Sequence, residues 1–364
     1  MFVGEQKALI ILHNTPHLGP LRIRLLVKRL GSAEAVLAAS VKELAACEGI
    51  GSLLAEAVAS WSNNDRWQRD LDLIAAHGVE IVTYRDPTFP KPLEAIIDAP
   101  VLLYVRGSIK RQDTHAIAIV GTRNASHYGT EEAYAIASDL ARMGYTITSG
   151  LARGVDTHAH VGALAHGRTV AVIGSGLANL YPRENLPLAK KIAACGAVIS
   201  EFPMATPPDK QNFPQRNRIV SALSKGILLV EAPAKSGAMI TMVRGEHQGK
   251  RLFALPGRVD MPSFRGNHSL IKEGRAQLVE SAEDIAAEFE TLFPLSKGYT
   301  QPRPTLSVQE EELIRSMPST EAYIEEIVTL SSMPISTVSA LLMGLVLKKV
   351  VKEFPGKIYK KKTY

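Results

Sequence analysis

Cysteine is nearly absent from this chain: Cys47 and Cys195 are the only two in 364 residues. They lie in unrelated segments, which excludes a disulfide framework and a zinc site built on paired thiolates, and both read as inert core thiols. Long apolar runs are missing as well. The stretch 8–12 near the N-terminus is too short for a signal-peptide core, and no segment approaches the roughly 18 apolar residues of a membrane span, so a cytoplasmic protein is expected. The third absence is bulk charge. Seven lysines (348, 349, 352, 357, 360, 361 and 362) against one acid, Glu353, place the whole formal charge of +6 in residues 348–364, and the other 347 residues net to zero. A nucleic-acid site in the body of the chain must therefore rest on local arrangement, without help from an overall field.

Motifs for several chemistries are present only in part. Gly174-Ser175-Gly176-Leu177-Ala178-Asn179 follows a predicted strand as a dinucleotide fingerprint should, but Asn179 replaces the third glycine and no acidic residue ends the following strand, which argues against bound NAD. Gly245 to Arg251 has the outline of a phosphate-binding P-loop. It is one residue short, has Arg251 where Ser or Thr should hold magnesium, and precedes a strand instead of following one, so ATPase activity is discarded. Asp156-Thr157-His158-Ala159-His160 holds ligand-like residues, yet the segment should start a helix, where positions i and i+2 diverge. Asp156 is expected to cap that helix and the histidines to pack or face solvent, with no metal bound. Neither paired carboxylates in loops nor a Ser–His–Asp arrangement is evident. No cofactor is expected.

What remains is an ordinary soluble composition, 46% hydrophobic and 21% charged, in a chain long enough for two or three domains. Residues 1–78 have helical periodicity and two related turns, Leu18-Gly19-Pro20 and Gly49-Ile50-Gly51, each leading into a helix. They suit a SAM or helix-hairpin-helix arrangement whose N–H groups grip a phosphate, although such turns also serve simply to close helical bundles. The stretch 85–100, with Pro87, Pro90, Pro92 and Pro100, reads as a rigid connector between domains, flanked by strands at 79–84 and 101–106. Within 79–292, strands at 116–120, 145–149, 169–173, 197–200, 227–230 and 251–255 alternate with helices. That alternation predicts an extended Rossmann-like, doubly wound parallel sheet in an α/β fold. Nearly every strand ends in a small or polar loop, and all such loops share the carboxyl edge, where these folds bind ligands. A linker is expected at 293–307. In 308–364, helices at 310–317, 321–330 and 335–345 and a hairpin at 350–359 match a winged-helix pattern.

One stretch, from Phe213 to Gly237, joins an aromatic and two arginines to a helix start, a strand and a second helix start. Pro214 suits a first helical position, placing Arg216, Asn217 and Arg218 in the opening turn, and the next helix starts near Ser236-Gly237. Two helix N-termini with guanidinium groups and a phenyl ring at the rim suit a ligand that carries phosphates and flat bases. The alternative is a helix cap with two solvated arginines.

The motifs IVGTRNASHYG (119–129), SGLARGVDTHAHVGAL (149–164), AVIGSGLANLYPREN (171–185), ISEFP (199–203), FPQRNRIVSALS (213–224), VEAPAKSGAMIT (230–241) and PGRVDMPSFRGNHSLIKEG (256–274) follow one another as in the DprA/Smf family of DNA-processing proteins. The chain resembles that family over nearly its whole length. The resemblance implies a homodimer that binds single-stranded DNA, protects it, and loads the RecA recombinase in natural transformation, without enzymatic activity. It implies that Arg123 and Lys210 hold phosphates, that Phe213 stacks on a base, and that Arg216, Asn217 and Arg218 extend that wall. Ser149-Gly150 and Ser236-Gly237 would offer backbone donors, and Leu270 and Ile271 would lie at the dimer contact. Arg275 departs from the alanine more usual in the family, close to that contact. Two other readings stand beside this one: a Rossmann-type nucleotide phosphoribohydrolase, whose P-G-G-x-G-T loop is not matched by Pro256 to Asp260, and a duplex-DNA regulator acting through the winged helix.

Overall fold

The computed structural model describes residues 4–290, 306–318, 320–348 and 350–361, in two compact units. Of the linker expected at 293–307, all but Leu306 and Ser307 lies outside the described residues.

The first unit opens with six helices: α1 Glu5–His13, α2 Pro20–Leu30, α3 Ala33–Ala38, α4 Val41–Ala45, α5 Ser52–Ala59 and α6 Arg66–His77. As the glycine turns predict, α2 and α5 begin directly after Gly19 and Gly51, and neither start has a side-chain cap. The apolar faces of these helices are continuous with the sheet that follows, since Leu9, Ile11, Leu12 and Leu26 share one buried cluster with Tyr104, Ile173, Leu177, Val198 and Met204.

That sheet has nine strands: β1 Glu80–Thr83, β2 Leu102–Gly107, β3 Ala116–Val120, β4 Thr146–Ser149, β5 Thr169–Ile173, β6 Ala197–Ser200, β7 Ser224–Leu229, β8 Arg251–Ala254 and β9 Gln277–Leu278. Their spatial order is β1-β2-β6-β5-β4-β3-β7-β8-β9. From β6 to β9 every pairing is parallel, as alternation requires. The β1–β2 and β2–β6 pairs are antiparallel, a feature the alternation does not foretell. Helix α7, Lys91–Glu94, lies between β1 and β2. The proline-rich stretch is thus a loop joining two neighbouring strands of one sheet, and the expected inter-domain connector is corrected. Proline density forbids a long helix there and does not distinguish a loop within a sheet from a boundary.

Helices α8 His127–Arg142, α9 Val155–His166, α10 Leu186–Cys195, α11 Asn212–Leu223, α12 Gly237–His247, α13 Arg265–Lys272 and α14 Ala282–Glu290 complete the unit. Successive strand residues serve opposite faces, the period-two pattern of a doubly covered sheet. Ile117 and Ile119 pack with Ile136 of α8, Ala159 of α9 and Ile285 of α14, whereas Ala118 and Val120 pack with Ile219 of α11, Met242 of α12 and Leu270 of α13. Strand β3 has β4 on one side and β7 on the other, so the winding reverses there and a crevice opens at the carboxyl ends of β3 and β7.

The second unit contains α15 Val308–Ser316, β10 Ala322–Tyr323, α16 Ile324–Ser331, α17 Ile335–Leu347, β11 Val351–Phe354 and β12 Ile358–Lys361, with antiparallel order β10-β12-β11. The helices and hairpin stand where periodicity puts them, and the two-residue β10 is an addition. Two tail lysines are bound internally: Lys348 Nζ lies 2.7 Å from Glu310, and Lys361 Nζ donates to the Met317 carbonyl at 2.7 Å.

Two expectations change on burial. Cys195 is exposed at the end of α10, and only Cys47 is a core thiol. Leu270 is 0% exposed inside its own core and so presents nothing to a partner, whereas Ile271 on the same turn is half-buried. Arg275 is engaged by Glu246 and Glu273 at 2.6 and 3.0 Å. His160 packs as expected, also at 0% exposure. Thr169 Oγ1 donates to the Ile147 carbonyl and accepts from His160 Nδ1 at 2.7 Å, which leaves His160 Nε2 unprotonated and without a partner. Burial, and then the Arg216 charge, push this imidazole down to about 3.

Two outcomes follow from this core. Leu270→Ala should lower stability by about 2–5 kcal/mol and Leu270→Glu should prevent folding, while Ile271→Glu, at a half-buried position at the edge of the same core, should lower the melting temperature by less and leave a folded protein, measured by thermal denaturation. For His160, the folded pKa lies below the unfolded value of 6.5, so the unfolded chain takes up a proton that the folded chain refuses. Stability is therefore full above 6.5 and is lost as pH falls toward 3. The melting temperature of the wild type should fall more steeply than that of His160→Gln between pH 6.5 and about 4.

Candidate nucleic-acid interface

The loops that leave β3, β4 and β7 meet α11 around one cleft of about 270 Å³ at the point where the winding reverses. Thr122 and Arg123 come from the first loop, Gly150 and Ala152 from the second, Ser236 and Gly237 from the third, and Phe213, Arg216, Asn217 and Val220 from the helix. The loop after β5 seats the aromatic ring. A Cβ on Gly174 would lie 2.8 Å from Phe213 Cδ1, so the ring's position depends on glycine there. Arg123 lies over the ring, its guanidinium carbon 4.9 Å from the centroid, and the exposed Tyr181 ring stands 6.2 Å away. An exposed cation and two aromatic rings therefore form one wall.

The floor is a second cation. Arg216 is 4% exposed, and its Nη1 donates to the Val172 carbonyl of β5 at 2.6 Å. It reaches that carbonyl only because residue 150 is glycine, since a Cβ at that position would collide with the guanidinium. Arg216 Nε is buried with no partner. Burial, opposed by Asp156 and reinforced by Arg123, pushes the guanidinium down to about 10, so it stays charged at neutral pH. Asp156 is itself buried, and that burial raises its carboxyl.

The structure redistributes the residues read from the sequence. Helix α11 starts at Asn212, so Pro214 is its third residue, still where a missing N–H has no intrahelical partner. Arg216, Asn217 and Arg218 consequently lie in the second turn, and alternate residues take different roles. Arg216 turns into the cleft floor. Asn217 Nδ2 donates to the Gly237 carbonyl at 3.3 Å and ties α11 to the start of α12. Arg218 leaves the wall altogether: it is 5% exposed, binds both Glu201 carboxylate oxygens at 2.7 and 2.8 Å, and meets Asp98 at 3.0 Å. Its charge is matched inside the protein.

The donors in the second loop are also committed. Ser149 is fully buried with its hydroxyl donating to the Ile119 carbonyl, and the Gly150 and Ala152 N–H groups donate to Asp156 Oδ2 at 3.1 and 3.2 Å. Asp156 thus clamps the loop before α9, and the expectation that it caps the helix is corrected, because Gly154 holds the cap position. Ser236 caps α12, accepting from the Met239 N–H at 3.4 Å, and that helix opens at Gly237, where the sequence puts its start. Lys210 is exposed just before α11 and lies outside the cleft lining. His158 and His160 diverge, the first to the Gly154 carbonyl and the second into the core. Tyr181 and Thr122 went unread in the sequence. An aromatic just past the Gly174–Gly176 loop, and a hydroxyl beside Arg123, were the available signals.

Residues 80–290 match the family described as DNA recombination-mediator protein A. Protein Smf of Synechocystis is 29% identical to this chain, over 94% of it and 96% of that protein. Protein Smf of Escherichia coli is 36% identical over 74% of each, and the DNA processing protein DprA of Bacillus subtilis is 39% identical over 62% of this chain and 75% of its own length. Among solved structures, the X-ray structure of DNA processing protein A from Streptococcus pneumoniae superposes with a TM-score of 0.69 at 30% identity, covering 80% of this chain and 99% of that one. DNA processing protein A from Helicobacter pylori, whose structure describes a single-stranded DNA binding mode, superposes with a TM-score of 0.54 at 31% identity over 59% of this chain and 98% of that one. On the extent of these matches, this chain belongs to the DNA recombination-mediator protein A family, the DprA/Smf group of DNA-processing proteins.

Proposed function

We propose that this chain binds single-stranded DNA without sequence preference in the cleft at the head of β3 and β7, protects the strand, and loads the RecA recombinase onto it, acting as a cytoplasmic homodimer without chemistry of its own. The observation that carries this reading is the pairing of the Arg123–Phe213 stack with the buried, half-satisfied Arg216. A phosphate in the cleft faces the Arg216 guanidinium that lines it, and the N-terminus of α12 beside it favours an anion. A base that stacks on Phe213 takes the place Arg123 occupies and frees that guanidinium for the backbone. Every base has a π face and every nucleotide a phosphate, so such a site has no means of reading sequence. Lys210, exposed at the rim, extends the track.

We read residues 1–78 as a SAM or helix-hairpin-helix-like segment, 79–292 as the DNA-binding Rossmann-like domain, and 308–364 as a winged helix. The helix that would enter a duplex groove, α17, has no charged residue and exposes Ile335, Met343 and Leu347. Those side chains favour the single-strand reading over a duplex regulator. For the dimer contact, Ile271 is retained and Leu270 is not.

Two titrations of an oligothymidine by fluorescence anisotropy test this reading. Affinity should fall steeply with salt, and Arg123→Ala/Lys210→Ala should flatten the slope of log K against log salt by roughly 1.4, at about 0.7 per lost phosphate contact. An unchanged slope in the double variant would sink the groove. Phe213→Ala should instead cost on the order of 1–3 kcal/mol of binding with little change of slope, because stacking depends weakly on salt.

A further inference from the structure

The first six helices contribute no side chain to the cleft lining, yet two of them grip the segment that leads into it. That segment, residues 201–212, leaves β6 and delivers Lys210 and Phe213. Asp70 of α6, 3% exposed, engages both carboxylate oxygens: Oδ1 accepts the Met204 N–H at 2.7 Å, and Oδ2 accepts the Tyr104 hydroxyl at 2.6 Å and Asn14 Nδ2 at 3.0 Å. One step earlier, His13 at the end of α1 donates through Nε2 to the Glu201 carbonyl at 2.7 Å, since a carbonyl can only accept.

The far side of the same segment is fastened to the loop that seats Phe213. The Gly176 N–H donates to the Thr206 carbonyl at 2.9 Å, the Ala178 N–H to the Met204 carbonyl at 3.1 Å, and Asn179 Nδ2 to the Ala205 carbonyl at 2.6 Å. Met204 is therefore held from both sides, by Asp70 on one and Ala178 on the other, and its own side chain is fully buried. Beyond Thr206 the chain is exposed through Gln211 and then enters α11. The position of Phe213 over Gly174 depends on where this segment is pinned.

Only an acceptor without hydrogens can serve three donors at this point. An asparagine in place of Asp70 would turn an NH₂ group toward a phenol, an amide or a backbone N–H, all of which already donate. Burial, and then the Asp70 charge, push the Tyr104 phenol well above its usual range, so it remains a donor.

From this geometry we infer that Asp70 is a positioning residue for the strand-binding groove, and that the N-terminal helices act in binding by fixing the rim segment 201–212 through it. The inference rests on the groove reading above. It is tested in the full-length protein by anisotropy with an oligothymidine, on Asp70→Asn, Asp70→Ala, Phe213→Ala, the Asp70/Phe213 double variants, and Leu44→Ala, which cavitates the same helical core without touching the anchor. Asp70→Asn and Asp70→Ala should each weaken binding about tenfold, a loss within the range that one stacked ring contributes. In the double variants, Asp70 substitution should add little to Phe213→Ala, because both act on the same contact. Leu44→Ala should lower the melting temperature and leave affinity alone. His13→Ala, which removes only the Glu201 anchor, should weaken binding about threefold, and His13→Gln, which keeps an amide donor, should restore it; this pair decides the matter where an Asp70 variant does not fold. Folded Asp70 or His13 variants of wild-type affinity, or effects that add to Phe213→Ala, overturn the positioning role while the groove stands. A Phe213→Ala variant of wild-type affinity overturns the groove and this inference with it.

Discussion

A guanidinium held away from water before any ligand arrives is the constraint around which this sheet edge is built. Arg216 has one hydrogen bond, to the Val172 carbonyl, and a buried Nε with none. Dehydrating a cation costs several kcal/mol when no partner answers it. Here the cost is contained by Asp156, which lies close enough to oppose the loss of the proton, and by Gly150, whose missing side chain lets the guanidinium reach a carbonyl. The cation is desolvated during folding, and under the proposed function an incoming phosphate need not strip it. Asp156 has a second task, holding the Gly150 and Ala152 N–H groups, so the group that balances the charge also shapes the loop around it.

The neighbouring arginine shows the opposite solution. Arg218, two residues on, has its charge matched by Glu201 and Asp98 inside the protein, although its Nη1 is buried without a partner. One helix turn thus carries a cation that lines the cleft and a cation ion-paired in the interior. The difference lies in which carboxylates the fold brings near, and these are 17 and 120 positions away in the chain.

Much of the framework is legible in the sequence because strands covered on both faces are apolar at every position. Ile117 to Val120, Val170 to Ile173 and Ile227 to Leu229 admit few other readings, and the loops after them fall at the carboxyl edge by necessity. Phe213, Arg123, Ser236 and Gly237 were visible for the same reason. What was hidden depends on contacts distant in sequence. Nothing local separates Arg216 from Arg218, or Leu270 from Ile271, and only a phase shift of two residues in the start of α11 turns an exposed wall into a buried floor. The antiparallel edge was hidden too, since β1 and β2 have the composition of any other buried strand.

That edge bears on how copies of the chain can meet. A sheet that ends in open backbone invites another chain to continue it. At one border β9 has only two residues, and at the other the β1 carbonyl of Ile81 already accepts from Gln6 Nε2 at 2.9 Å, under the first helix. Both borders are therefore blunted, by brevity on one side and by a side-chain cover on the other. Self-assembly by extending the ladder has little to hold on to, and any contact between copies is left to helix and loop surfaces.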